Sequence, residues 1–340
     1  MKINGKATQV TQRIGSDNIS KNHTIGSVIG NILIKYRTVV ILIVLIAVFS
    51  YLRPVFLRPA NLLAIMKNMS FVLIAGLGMT FIITLAGLDL SNGSIAAVVG
   101  VSLAMLVRGG LMPTIPALLI VMLGAMLLGF LNGFVSVKGR IEPFLVTLAT
   151  MYIYRGLALT LAAGRPIPIL IPYFSDIFGN GLVFNVIPTP VIISFIVLMI
   201  SWFLFNKTKF GFFVRSIGGN PEAARVAGIN ISLVKISAYT MNGLFAFVSG
   251  LILAALMNAG LPDVGRDLAL DSIAGVILGG TAIAGGVGSI WGTLGGCLIM
   301  AALNNGLSLL GAQYHQQIFV KGLVIIFAVL MDNALKSKQR

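Results

Sequence analysis

The chain is poor in charge, in acid and in the residues of catalysis. Only 10% of its 340 residues are charged, against about 25% in a soluble domain, and Asp and Glu together number 9. So little charge cannot solvate two soluble domains, which the length alone would allow. The two histidines, His23 and His315, lie far apart, so no histidine-built metal cluster is expected. Cys297 is the single cysteine and sits in an apolar run, which excludes an intrachain disulfide and suits a small packing residue. Ser or Thr follows Lys only at Lys207-Thr208 and Lys336-Ser337, and Gly precedes neither lysine, so there is no Walker A phosphate loop. No catalytic residues and no cofactor on this chain are expected. Any nucleotide energy must come from another chain.

What the chain has is apolar length. Hydrophobic residues make up 57% of it, and Thr38–Leu52, Phe71–Ala86, Ile115–Val137 and Thr189–Phe205 contain no charged residue. Crossing a bilayer takes roughly 20 predominantly apolar residues, and helices satisfy their own backbone groups while doing so. The expected fold is therefore all-α, a polytopic transmembrane helical bundle of about ten spans with broken or glycine-rich segments. The spans are read as Thr38–Leu52, Met66–Ala86, Ser91–Val107, Ile115–Val137, Pro143–Ala163, Thr189–Phe205, Leu233–Met257, Leu268–Ala284, Ile290–Leu310 and Gln316–Asp332. A cytoplasmic polar tail is expected over 1–36, a transmembrane domain over 37–335 and a short cytoplasmic tail over 336–340.

The net charge of +15 raises the question of nucleic acid, but its distribution answers it. With both termini cytoplasmic, sixteen Lys and Arg fall on inner segments and six on outer ones. That is the positive-inside asymmetry of a membrane protein. The first thirty-odd residues are too long and polar for a secretory leader.

The longest polar segment, Lys207–Lys235, lies between two spans, with its core at 207–232. Within it Asn220, Pro221 and Glu222 start a helix and Gly228 can end one. Asn is a favoured N-cap, Pro fits the first helical position, and Glu there complements the helix dipole. A short capped helix over Pro221–Ala227, including Ala223, Ala224 and Arg225, is a docking element, or else a chance turn in a solvated linker.

Two breaks interrupt the apolar runs. In Gly87–Ser94, Asp89 and Ser91 can each cap the helix beginning near Gly93, and a carboxylate at a membrane helix break is also a functional candidate. The second break, Gly279–Ser289, is glycine-rich. Gly275/Gly279 and Gly292/Gly296 have the small-xxx-small spacing of close helix packing. Gly93-Ser94-Ile95 before Gly100 and Gly288-Ser289-Ile290 before Gly295 hint at an internal repeat. Asp89, Ser91, Asn92, Thr147, Asn304 and Asn305 are the candidates for the translocation path. Asn304 and Asn305 either bridge helices or face water. Arg155 is expected to snorkel or, preferably, to pair with a carboxylate such as Asp176, and Lys321 likewise with Asp332 or a backbone carbonyl.

These residues also carry a resemblance. Glu222-Ala223-Ala224 with Gly228 looks like the EAA-type loop of ABC import permeases. GMTFIITLAGLDLSNGS (Gly78–Ser94), PFLVTLATMYIYRGLAL (Pro143–Leu159), GGNPEAARVAGIN (Gly218–Asn230), LALDSIAGVILGGTAIAGGVGSIWGTLGG (Leu268–Gly296) and VKGLVIIFAVLMD (Val320–Asp332) closely resemble the ribose-type monosaccharide permeases of bacterial ABC importers. The resemblance runs from about Pro54 onward and departs at Asn92, where Val is expected. It implies a permease subunit of the bacterial inner membrane that moves a monosaccharide without ATPase activity of its own. It implies as partners a cytoplasmic ATPase gripping the helix at Asn220–Gly228, a periplasmic sugar-binding protein, and a second permease copy or close relative. A branched-chain amino acid permease of the same superfamily and an ion-coupled secondary transporter are the alternatives.

Overall fold

The computed structural model describes residues 37–337. The tail expected over 1–36, with His23, and residues 338–340 lie outside the described residues; 336–337 belong to the last helix. Among the described residues the chain is helical throughout, with two strand pairs of two residues each at one end of the bundle. The helices are α1 (Arg37–Leu52), α2 (Pro59–Thr84), α3 (Asn92–Val107), α4 (Thr114–Gly139), α5 (Pro143–Leu161), α6 (Phe174–Phe178) and α7 (Thr189–Lys207). They continue as α8 (Lys209–Gly219), α9 (Pro221–Val226), α10 (Ile231–Met257), α11 (Leu268–Leu278), α12 (Ile290–Leu309) and α13 (Tyr314–Ser337).

Seven of these helices are long and apolar enough to cross a membrane: α2, α3 with the turn that follows it, α4, α5, α7, α10 and α12. α1 and α11 are apolar but shorter. The chain is a multi-pass membrane protein, but helix length alone does not reach ten crossings. The expected eighth span, Leu268–Ala284, is not one helix. α11 stops at Leu278, and the residues to Ser289 form an irregular turn.

α4 shows how the sequence sorts its faces. Ala117, Val121, Ala125, Gly129, Asn132, Gly133 and Ser136 point inward, while Leu119, Leu123, Leu127 and Phe130 are exposed. Small residues at four-residue spacing meet neighbouring helices, and large apolar ones are left for lipid. α10 is the central post, packed against α2, α3 and α4. On one side of it Leu73, Leu77 and Phe81 of α2 pack with Phe205 of α7 and Met300 of α12. On the other, Ile95 and Leu103 of α3 pack with Val121 of α4 and Phe174 of α6.

α11 and α12 approach until backbones touch. A Cβ on Gly279 would fall against the Gly292 carbonyl, and one on Gly296 against that of Gly275. Only residues without a side chain permit this separation.

The Lys207–Lys235 segment is more ordered than a polar loop. Lys207 ends α7, Lys235 lies in α10, and α8 occupies much of what remains. Phe210, Phe213, Val214 and Ile217 form the apolar stripe of α8, a pattern legible in the sequence but masked there by Gly211, Gly218 and Gly219. Thr208 caps it by accepting from Gly211 N–H.

Candidate functional site

Three constellations stand out in the bundle. At one end is α9. The Asn220 side chain accepts from Ala223 N–H at 3.0 Å, and Pro221 occupies the first turn. Gly228 has φ +81°, the left-handed region that favours glycine, and Ile229 N–H returns to the Ala224 carbonyl at 3.0 Å. The helix is one residue shorter than expected and ends at Val226. Ala224 alone anchors it, at 3% exposure. Pro221, Glu222, Ala223, Arg225 and Val226 face outward, and Glu222 and Arg225 stand 3.7 Å apart in the open. α9 lies at the end of the bundle where Gly286 N–H bonds the Thr84 carbonyl beside Gly218.

The second constellation is the break between α2 and α3. Asp89 is fully buried. Its Oδ1 accepts from Ser91 N–H at 2.8 Å and from Ser91 Oγ at 2.7 Å, and its Oδ2 accepts from Asn242 Nδ2 at 2.8 Å. Asn132 Nδ2 donates to Ser91 Oγ at 2.7 Å, and the Tyr154 hydroxyl lies 3.1 Å from Asn132 Oδ1. The Tyr239 and Thr147 hydroxyls lie 3.2 and 3.3 Å from the Leu88 carbonyl. The break is thus clamped by α4, α5 and α10. Ser91 holds the N-cap position of α3, as the turn suggested, but its side chain makes no cap bond to the helix. Asp89, Ser91, Asn92 and Thr147 share this buried site. In this conformation they face other helices, not an open path. Asn92 Nδ2 reaches Ser272 Oγ of α11 at 3.4 Å, and Gly93 lies against the Gly265 backbone. The N-terminal ends of α3 and α11 therefore meet inside the protein. Gly93-Ser94 lies in the first turn of α3 and Ser289 caps α12, so each motif stands at the start of a helix that follows a break.

The third constellation surrounds the segment from Asn258 to Asp267. Arg155 Nη1 donates to the Pro262 and Val264 carbonyls at 2.6 and 2.7 Å, so the expected pairing with Asp176 is wrong. The acid of that turn, Asp263, pairs with Arg266 instead, at 2.6 Å. Lys321 Nζ bridges Asp267 Oδ2 at 3.0 Å and Asp271 Oδ2 at 3.2 Å. The expected partner Asp332 lies three turns further along the same helix, and α11 presents its acids first. Asn304 Nδ2 donates to Asp271 Oδ2 at 3.0 Å, and Asn305 exchanges amide bonds with Asn61 at 2.9 and 3.0 Å. Both asparagines bridge helices. A cleft of about 520 Å³ opens here, with Asp263, Arg266, Asp267, Asp271, Tyr314 and Lys321 on its wall.

Sequence reasoning missed Asn132, Tyr239, Asn242, Asp267 and Asp271. Asp271 carried a signal, as the only charged residue of the apolar run Leu268–Ala284. Asn242 carried a weaker one, as an isolated amide within a long apolar span.

Known proteins give this geometry its context. The family model described as branched-chain amino acid transport system / permease component matches residues 61–329. The ribose import permease protein of Haemophilus influenzae is 38% identical over 322 residues, 94% of this chain and 99% of that protein. The ribose import permease protein of Bacillus subtilis is 41% identical over 86% of this chain and 90% of its own length. The D-allose transport system permease protein of Escherichia coli is 34% identical over 88% and 92%. No solved structure matches the chain. With the matched region running from α2 into α13, the chain belongs to the permease-component family of the branched-chain amino acid transport systems, to which its likeness to ribose import permeases adds the finer grouping.

Proposed function

We propose that the chain is the membrane-spanning permease subunit of an ATP-binding-cassette importer carrying a monosaccharide, ribose or a similar sugar, across the bacterial inner membrane. The observation that carries this is the 38–41% identity to ribose import permeases along nearly the whole chain. A separate cytoplasmic ATPase supplies the energy, and ATP is its ligand, not this chain's. A periplasmic sugar-binding protein delivers the solute to the opposite end, and a second permease copy or close relative completes the pore. Ten crossings with both termini cytoplasmic place α9 on the inner face, where Asn220, Pro221, Glu222, Ala223, Ala224, Arg225 and Gly228 form the coupling element. Its one buried anchor and outward ridge suit a rigid peg seated in a partner's groove. ATPase closure moves the peg, and the bundle alternates between two packings. The buried Asp89 clamp holds the α2–α3 break as one body during this motion.

The test is reconstitution of the chain with its ATPase and binding protein in proteoliposomes. ATP-dependent accumulation of D-ribose, D-allose or D-galactose is expected. Accumulation driven by an ion gradient without the ATPase would overturn the reading in favour of the secondary-transporter alternative. Uptake of leucine in place of sugar would favour the amino acid alternative.

A further inference from the structure

We propose that the cleft beside α11 and α13 is a monosaccharide subsite within the permease, with Asp271 as its central hydroxyl acceptor. The inference rests on the sugar-import reading and assigns the solute a place in the chain. The volume of about 520 Å³ lies within the roughly 300–1,000 Å³ of small-molecule pockets. Its wall alternates acceptors and donors: Asp263, Asp267 and Asp271 against Arg266, Lys321 and the Tyr314 hydroxyl. Phe71 and Leu253 add an apolar surface. Polyhydroxy rings need this mixture, with acceptors and donors for the hydroxyls and an apolar face for the C–H side.

Asp271 is the observation that points to a ligand. Its side chain is 8% exposed, and its Oδ2 is occupied by Lys321 and Asn304. Its Oδ1 is buried without a hydrogen-bond partner. A buried carboxylate oxygen left unpaired beneath the cleft wall costs free energy, which a donor that reaches it from the cleft as the bundle repacks recovers. Asn304 Oδ1, on the residue that donates to Asp271, is likewise buried and unpaired. A sugar hydroxyl is such a donor.

The cleft is held from two different helices. Arg155 holds the Pro262–Val264 turn from α5, while Lys321 and Tyr314 hold Asp267 from α13. A smaller cleft of about 230 Å³ on the α5 side shares Asp263, Gly265 and Arg266 with the larger one. The turn between them is therefore the partition a sugar meets from either side.

The experiment uses the permease–ATPase complex in proteoliposomes, with D-ribose, D-allose and D-galactose as probes. An Arg266→Cys reporter at the cleft is labelled by an impermeant thiol reagent; Cys297 is fully buried and stays unlabelled. High concentrations of a transported sugar should slow labelling, L-leucine should not, and Asp271→Asn should abolish the protection. With the binding protein added, Asp271→Asn should raise the half-saturating sugar concentration about tenfold, the scale of one hydrogen bond to a charged group. If Asp271→Asn does not accumulate, Tyr314→Phe, 55% exposed at the cleft, should show the same shift in smaller measure. Labelling unaffected by a sugar that the same importer accumulates would overturn the subsite and leave the transport reading intact. Failure to accumulate any of the three sugars would overturn both.

Discussion

Asn242 donates its amide to Asp89 Oδ2 at 2.8 Å across 153 positions of chain. The bond ties the central helix α10 to the break between α2 and α3, and both residues are fully buried. Removing one partner of such a bond leaves the other unsatisfied in a low-dielectric interior. Asn242→Leu should lower stability by about 1–3 kcal/mol, read as earlier thermal unfolding of the detergent-solubilised chain. Unchanged unfolding would mean that the clamp contributes nothing to the bundle.

Lys321 neutralises two carboxylates at once. Lys321→Met leaves Asp267 and Asp271 facing each other with the cation gone, a loss of roughly 3–5 kcal/mol where one partner of a buried ion pair is removed. A second change, Asp271→Asn, should recover part of it. Thermal unfolding of the single and double variants makes the comparison. A double variant no more stable than Lys321→Met alone would show that charge balance is not what Lys321 provides.

The contact between Gly279 and Gly292 has no room for a side chain. Gly279→Leu should drive α11 from α12 at a cost of about 1–3 kcal/mol or more. The expected result is a large drop in folded protein recovered from membranes. Gly322, where an added Cβ would meet nothing, is the control, and Gly322→Ala should accumulate normally. Equal recovery of both variants would rule out a packing role for this face.

α9 supplies the coupling prediction. Glu222→Lys reverses charge at the positive end of the helix and on its exposed ridge. Gly228→Val forces a β-branched residue to φ +81°, a cost of roughly 1–2 kcal/mol. Both should weaken co-purification of the ATPase and reduce sugar uptake at matched permease levels, with the chain still inserted. Normal retention and uptake in both variants would reduce α9 to a linker.

Orientation can be read with two cysteines at opposite ends. Val226, the last residue of α9, is 90% exposed, and Phe184 is 89% exposed in the hairpin between Leu182 and Pro188. In intact cells an impermeant thiol reagent should label Phe184→Cys and spare Val226→Cys. The reverse pattern would invert the proposed topology.

The sequence by itself determined the class of this protein and most of its helices. Long apolar runs with almost no charge admit only a helical membrane bundle, since backbone groups in lipid must be satisfied within each segment. The Asn220–Pro221 start and the Gly228 stop of α9 were legible for the same reason: capping is local chemistry, complete within a few residues. The partners of buried polar groups were not legible. Arg155 bonds carbonyls about a hundred positions away, and Lys321 bonds Asp267 and Asp271 instead of Asp332. Such choices depend on which helix faces lie opposite each other, and that follows from small-residue packing between α11 and α12 and around α10. Asp89 makes the same point. Its sequence position fits a helix cap at a turn equally well, and only the arrival of Asn242 from α10 makes it a buried clamp.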